Sequence, residues 1–218
     1  MAVRGVPLSS SPLELRERLR TRTLDSAGLR RALLAIAPRE RDGWVDALFG
    51  LEGIADDGPE LPREAVGYLP CPVSLILAAI DLAGIGSDDH FVDLGSGVGR
   101  AAMLVHLLTG ARTFGVEVQR QLVADARALS ARLERSEPEW LEGDGLEVRL
   151  GAPTVLFLYC PFSSATAARL LERVRTSPRA KPLRVCAVDL PLNEVPWLSE
   201  LGEVDGLRVF QERLATSP

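Results

Sequence analysis

Lysine is almost missing from this chain. Lys181 is the only one in 218 residues, and no tail or block is rich in Lys and Arg. With 25 basic residues against 30 acidic ones, the formal charge is −5. A protein that grips nucleic acid by its phosphates needs a basic footprint, so nucleic acid is not an expected partner. Cysteine is scarce too. Cys71, Cys160 and Cys186 are odd in number, lie far apart and form no CxxC pair. That pattern excludes a zinc knuckle and a disulfide framework and fits a reducing compartment. The histidines are only His90 and His106, and no ligand cluster suggests a metal. No apolar run reaches the ~20 residues that span a bilayer. The first residues, Met1 to Pro7, lack an apolar core of signal-peptide length, so the protein is expected to be cytoplasmic, with no membrane partner. There is no internal repeat and no low-complexity segment.

What the chain does contain is an ordinary globular composition, 46% hydrophobic and 25% charged, long enough for one sizeable core. Two rhythms divide it. Residues 1–85 read as a helical region. Ser11-Pro12-Leu13-Glu14 carries a capping-box signal with proline at the first helical position. A second helix is expected from Asp25 to before Pro38, and a third from about Arg39 to Phe49, ended by Gly50. Residues 51–62 are rich in Gly, Asp, Glu and Pro and read as a loop, either a solvated linker or a lid. A fourth helix, Pro72 to Ala83, is apolar nearly all round and should be buried on more than one side.

Residues 86–218 alternate strands with helices, the pattern of a parallel sheet. Strands are expected at Phe91–Leu94, Thr113–Val116, Trp140–Leu141, Thr154–Tyr159 and Leu183–Val188. Leu122, Ala126, Leu129 and Leu133 mark one face of a helix between the second and third. A hairpin near Leu201–Val204 and Leu207–Leu214 turns at Asp205-Gly206. The expected architecture is α/β and Rossmann-like. Its seven-stranded mixed sheet is mostly parallel with an antiparallel last strand, and helices flank it.

Chemistry concentrates in His90-Phe91-Val92-Asp93-Leu94-Gly95-Ser96-Gly97-Val98-Gly99-Arg100. An apolar strand ends in an acid, and a glycine-rich turn opens onto a helix. Dinucleotide sites want G-x-G-x-x-G/A so that the third small residue packs helix against strand. Here that position is Arg100, and the glycines fall instead at 95, 97 and 99.

The segment VDLGSGVGR closely resembles motif I of class I methyltransferases dependent on S-adenosylmethionine (SAM), in the form found in Dot1-type and related lysine methyltransferases. Further segments lie where that family has its motifs. Phe114-Gly115-Val116-Glu117 ends the second strand with an acid, Glu142-Gly143-Asp144 follows the third, and Val155 to Phe162 ends the fourth. Tyr68-Leu69-Pro70-Cys71-Pro72 resembles the Tyr-x-Pro-Thr-Pro-like segment that precedes motif I in several protein methyltransferases. The likeness covers about residues 68–189 and is poor over the first 60.

The resemblance implies SAM as cofactor and S-adenosylhomocysteine as product. It implies a cofactor site built from Tyr68, Asp93, Gly95, Ser96, Gly97, Glu117, Gly143, Asp144 and Tyr159. Asp93 or turn carbonyls would take the ammonium, backbone N–H groups of the turn the carboxylate, Glu117 the ribose hydroxyls and Asp144 the adenine amine. Tyr159 is the candidate catalytic residue, and Cys160, Pro161 and Phe162 would face the substrate. Relatives that methylate amides or nucleobases carry Asn-Pro where this chain has Tyr159-Cys160, so those acceptors are not expected. The favoured acceptor is a protein lysine amine, with residues 1–85 capping its site. A small-molecule O- or N-methyltransferase of secondary metabolism and a non-catalytic SAM-binding module are the alternatives.

Overall fold

In a computed structural model, which describes residues 11–53, 55, 57, 67–135, 138–159, 164–190, 192 and 195–213, the chain forms an α/β/α sandwich. Helices α1 (Pro12–Arg20), α2 (Ser26–Ala35), α3 (Arg41–Phe49) and α4 (Val73–Ala83) come first, with a 3-10 turn at Pro38–Glu40. Then follow β1 (His90–Leu94), α5 (Arg100–Thr109), β2 (Arg112–Glu117), α6 (Arg120–Arg132), β3 (Glu139–Glu142), β4 (Val155–Tyr159), α7 (Ser164–Arg175), β5 (Arg184–Val188), β6 (Leu198–Val204) and β7 (Leu207–Glu212).

Local chemistry sets these boundaries. The Ser11 hydroxyl accepts from the Glu14 N–H while the Glu14 carboxylate accepts from the Ser11 N–H, closing the expected capping box. Asp25 caps α2, and Gly50 and Gly84 end α3 and α4 in the left-handed conformation. Asp205 and Gly206 both have positive φ, the backbone of a tight hairpin turn, and join β6 to β7.

The sheet order is β3-β2-β1-β4-β5-β7-β6. Strands β1 to β5 run parallel and β7 pairs antiparallel with β5. This is the expected seven-stranded mixed sheet. Chain order reverses between β1 and β4, so the crevice above their carboxyl ends is the topological switch point where open α/β sheets bind ligands. Strand residues alternate between two cores. Phe91, Val155 and Phe157 join the core beneath α1–α6, while Val92, Leu94, Leu156 and Leu158 join the core beneath α7. The N-terminal helices belong to the first core. Helix α2 packs against α5, and α4 packs against α5 and strands β5, β6 and β7. They lie on one face of the sheet, with α4 directly on its strands. Asp57 and Tyr68 reach the carboxyl edge, at Gln119 and Gly97.

Candidate active site

The strand register lines up the carboxyl ends. Leu94 pairs with Val116 on one side and Leu158 on the other, Glu117 pairs with Glu142, and Tyr159 with Val188. The glycine turn, Glu117, the Gly143-Asp144 turn and Tyr159 therefore stand along one edge. Cys160, Pro161 and Phe162 lie outside the described residues.

Asp93 is the penultimate residue of β1, on the α5 side, 3% exposed. Burial and the like charge of Glu117 push its carboxyl up to about 7, against a hydrogen bond from the Ala102 N–H in the first turn of α5. Glu117 is also buried. One of its oxygens accepts from the Gly97 N–H at 2.9 Å and the other from the Gln119 N–H at 2.9 Å. Two carboxyls thus share a buried site, and the nearest charge acting on Asp93 is negative. Such a site is organised to receive a cation and hydroxyl donors.

The N–H groups of Gly95 and Ser96 both donate to the Val116 carbonyl, at 2.9 and 3.0 Å, that of Gly97 donates to Glu117, and that of Gly99 to the Ser96 carbonyl at 2.9 Å. Three of these four amides tie the turn to β2, and the turn serves as a close-fitting cradle. Gly97 has φ +53°, and a Cβ there would lie within 2.4 Å of two carbons at the Tyr68 ring edge. The Trp140 ring fills the space where side chains on Gly99 or Gly115 would stand. The Trp140 Nε1 donates to the Ser130 hydroxyl at 2.8 Å. At Gly97 and Gly99, both at positive φ, an aromatic ring stands where a Cβ would be, and only glycine fits there.

Tyr68 is held by a neighbour that the sequence places inside an anonymous acidic loop. Asp57 Oδ1 accepts from the Tyr68 N–H at 2.7 Å and from the Gln119 Nε2 at 3.0 Å. Its carboxyl is held below the usual range, by the Tyr68 N–H first and then by Gln119. Burial pushes the Tyr68 phenol up to about 12, so it is a hydroxyl at neutral pH and no base. In the sequence Arg100 stands out only as the residue that rules out a dinucleotide motif. It is 3% exposed and donates to Asp46 at 2.8 Å, to Asp42 at 2.8 Å and to the Cys71 carbonyl. A cation in the first turn of a helix opposes the helix dipole, and that anomaly is the signal that could have found it.

Asp144 is exposed, and its Oδ1 accepts from the Leu146 N–H at 2.8 Å, a turn-capping bond. Gly143 has φ +156°, with Val148 packed against its α-carbon, and its N–H donates to the Glu117 carbonyl at 2.9 Å. Tyr159 is half-buried and packs against the core beneath α4 and α5. A cavity of about 380 Å³ adjoins the turn on the α6 side. Tyr68 and Val98 wall it, together with Asp46, Glu52, Asp125 and Arg132. Among the described residues no group of three or more His, Cys, Asp and Glu could hold a metal. No described helix is long and apolar enough to cross a membrane.

Residues 68–140, from the Tyr68 segment through β3, match the family model of the histone methylation protein DOT1. The resemblance read from the glycine motif is thereby borne out over that stretch. Similar solved structures include an RNA methyltransferase from Salinibacter ruber in complex with S-adenosylhomocysteine, at 23% identity and TM-score 0.56, covering 66% of this chain and 92% of that one. The yhhF protein of Escherichia coli is similar at 16% identity and TM-score 0.55, over 70% of this chain and 90% of its own. A dimethyladenosine transferase from Plasmodium falciparum is similar at 13% identity and TM-score 0.53, over 66% and 63%. The chain has the class I methyltransferase fold. Sequence match and fold agree with the enzyme class read from the motifs. No curated protein sequence matches the chain.

Proposed function

We propose that this protein transfers a methyl group from SAM to an amine, with a protein lysine side chain as the favoured acceptor. The observation that carries the cofactor half is the buried pair Asp93 and Glu117 around a turn that admits only glycine. SAM supplies an electrophilic methyl on a sulfonium cation, and its amino-acid tail adds an ammonium. Asp93 fits the ammonium, because a cation beside it offsets the burial and the like charge that raise its carboxyl. Glu117 fits the ribose hydroxyls, since each of its oxygens keeps acceptor capacity beyond its one backbone bond. Tyr68 and Tyr159 offer aromatic walls, and aromatic faces favour cations. Asp144 stands by the end of β3, where the adenine amine would lie, and Gly143 with Ser96 shapes the floor.

The acceptor half rests on charge. The cavity beside Tyr68 and Val98 is walled by Glu52, Asp125 and Asp46, the last paired with Arg100, against the cation Arg132. An acidic wall attracts a cationic peptide and repels a phosphate backbone. Lysine must lose its proton to attack, and burial next to a sulfonium lowers its value from about 10.4. Holding the amine in line with the methyl at about 3 Å, with water excluded, supplies much of the rate. The RNA methyltransferase of similar fold gives a second reading, an RNA acceptor, which the −5 charge disfavours. Titration calorimetry with SAM and S-adenosylhomocysteine tests the cofactor, with micromolar or tighter binding expected. Transfer of labelled methyl to lysine peptides, small amines and RNA, assayed side by side, tests the acceptor. Label in RNA alone overturns the amine reading, and no binding of either ligand overturns the methyltransferase.

A further inference from the structure

We infer that Arg100 is a positioning residue for the cofactor: it fastens the Tyr68–Pro72 strap so that the Tyr68 ring stays pressed on the glycine turn. This rests on the SAM-binding reading above and adds to it a residue outside the site itself. The strap is pinned at two ends. At its start, the Tyr68 N–H donates to Asp57, which Gln119 holds beside Glu117. At its other end, the Cys71 carbonyl accepts from Arg100. Between these pins the Tyr68 ring lies on Gly97.

All three guanidinium nitrogens donate. The Nε goes to Asp46 at 2.8 Å. One terminal nitrogen goes to the Cys71 carbonyl, and the other to the Asp42 carboxylate at 2.8 Å and the Asp42 carbonyl at 3.1 Å. The same Asp42 oxygen accepts from the Val73 N–H at 2.8 Å, capping the first turn of α4 directly after the strap. One side chain thus ties α3, the strap and α4 to the residue that follows the third glycine. Stability alone argues against the choice. The residue is buried, so its charge is desolvated, and it sits at the helix end that repels cations. Asp42 and Asp46 offset its charge, which keeps a bare cation away from a cofactor that is itself cationic. Burial outweighs Arg100 at Asp46 and raises its carboxyl, a sign that the cluster is held at some cost. Lysine cannot reproduce the arrangement, because an ammonium lacks the planar fork that reaches a carbonyl and two carboxylates at once.

The test is a double-mutant cycle on SAM binding, read by calorimetry, with turnover at saturating SAM measured in parallel. Arg100→Lys should weaken SAM binding about tenfold, as should Tyr68→Ala, while the double variant should be little weaker than either single one. In turnover the loss should fall on the KM for SAM, with kcat nearly unchanged. Asp57→Ala releases the other pin at an exposed side chain and should give the same non-additivity with Tyr68→Ala. It carries the test if Arg100→Lys does not fold. SAM affinity unchanged in both pin variants overturns the inference, as do losses that add in full to that of Tyr68→Ala. A wild-type protein that binds no SAM overturns the inference together with the reading beneath it.

Discussion

The protonation of Asp93 makes cofactor binding pH-dependent in a direction that can be worked out. Its ordinary value is 3.8 and its value in the fold is about 7, set first by burial and then by Glu117. A bound ammonium favours the carboxylate, so binding SAM expels the proton that free Asp93 holds below pH 7. Each pH unit below 7 then costs about tenfold in affinity, or about 1.4 kcal/mol, until the pH reaches the value in the complex. Between pH 8 and pH 6 the loss is about tenfold. Stability of the free protein moves the other way. The folded state keeps a proton that the unfolded chain has released between pH 4 and pH 7, so stability falls as pH rises through that window, by up to about 4 kcal/mol. Asp93→Asn keeps the shape and removes the charge. It should raise the melting temperature at pH 8, weaken SAM binding there, and flatten the affinity between pH 6 and pH 8. Calorimetry in two buffers of different ionisation enthalpy would also register the released proton. A wild-type affinity flat across pH 6 to 8, or an Asp93→Asn variant less stable than wild type at pH 8, would refute the reasoning.

Three further outcomes can be checked. Gly97→Ala puts a methyl against the Tyr68 ring edge at positive φ; it should cost about 1–3 kcal/mol by urea denaturation and most of the SAM affinity. Asp89 is buried and accepts from Gly86 and Thr154 while pairing with Arg184 and Lys181. Asp89→Asn leaves the Arg184 charge without its partner and should cost about 3–5 kcal/mol. Burial pushes the Asp89 carboxyl up, but Gly86, Thr154 and the two cations together hold it below its ordinary value. Its contribution in the wild type is therefore present above that value and fades as the pH falls through the folded one. Tyr159→Phe should lower kcat by about a hundredfold or more if the hydroxyl handles a proton; unchanged turnover assigns Tyr159 to packing alone.

Element identity was legible because it is local. Caps at Ser11 and Asp25, stops at Gly50 and Gly84, and the Asp205-Gly206 turn each act within a few residues, and the structure bears them out. The apolar runs of β4 and β5 announce strands covered on both faces. The glycine spacing around Asp93 was legible for the same reason, since a tight turn leaves its demand in the sequence. The extra length of β6 was not, because Leu198–Glu200 gain strand geometry by pairing with β7 across a register shift.

Contacts between distant segments account for the rest. Residue order alone specified a seven-stranded α/β fold and the acid-glycine turn; the switch point came with the strand order. Residue order could not tell that amides of that turn bind β2, that the Tyr68 and Trp140 rings meet its second and third glycines, or that Asp57 bonds the Tyr68 N–H and Arg100 the Cys71 carbonyl. Asp57 lies 62 residues from Gln119, and Arg100 lies 54 and 58 from its carboxylate partners. No periodicity links such pairs. They meet because the tertiary fold brings α3 and the strap to the start of α5, where the buried Arg100 cation takes the carboxylates within its reach.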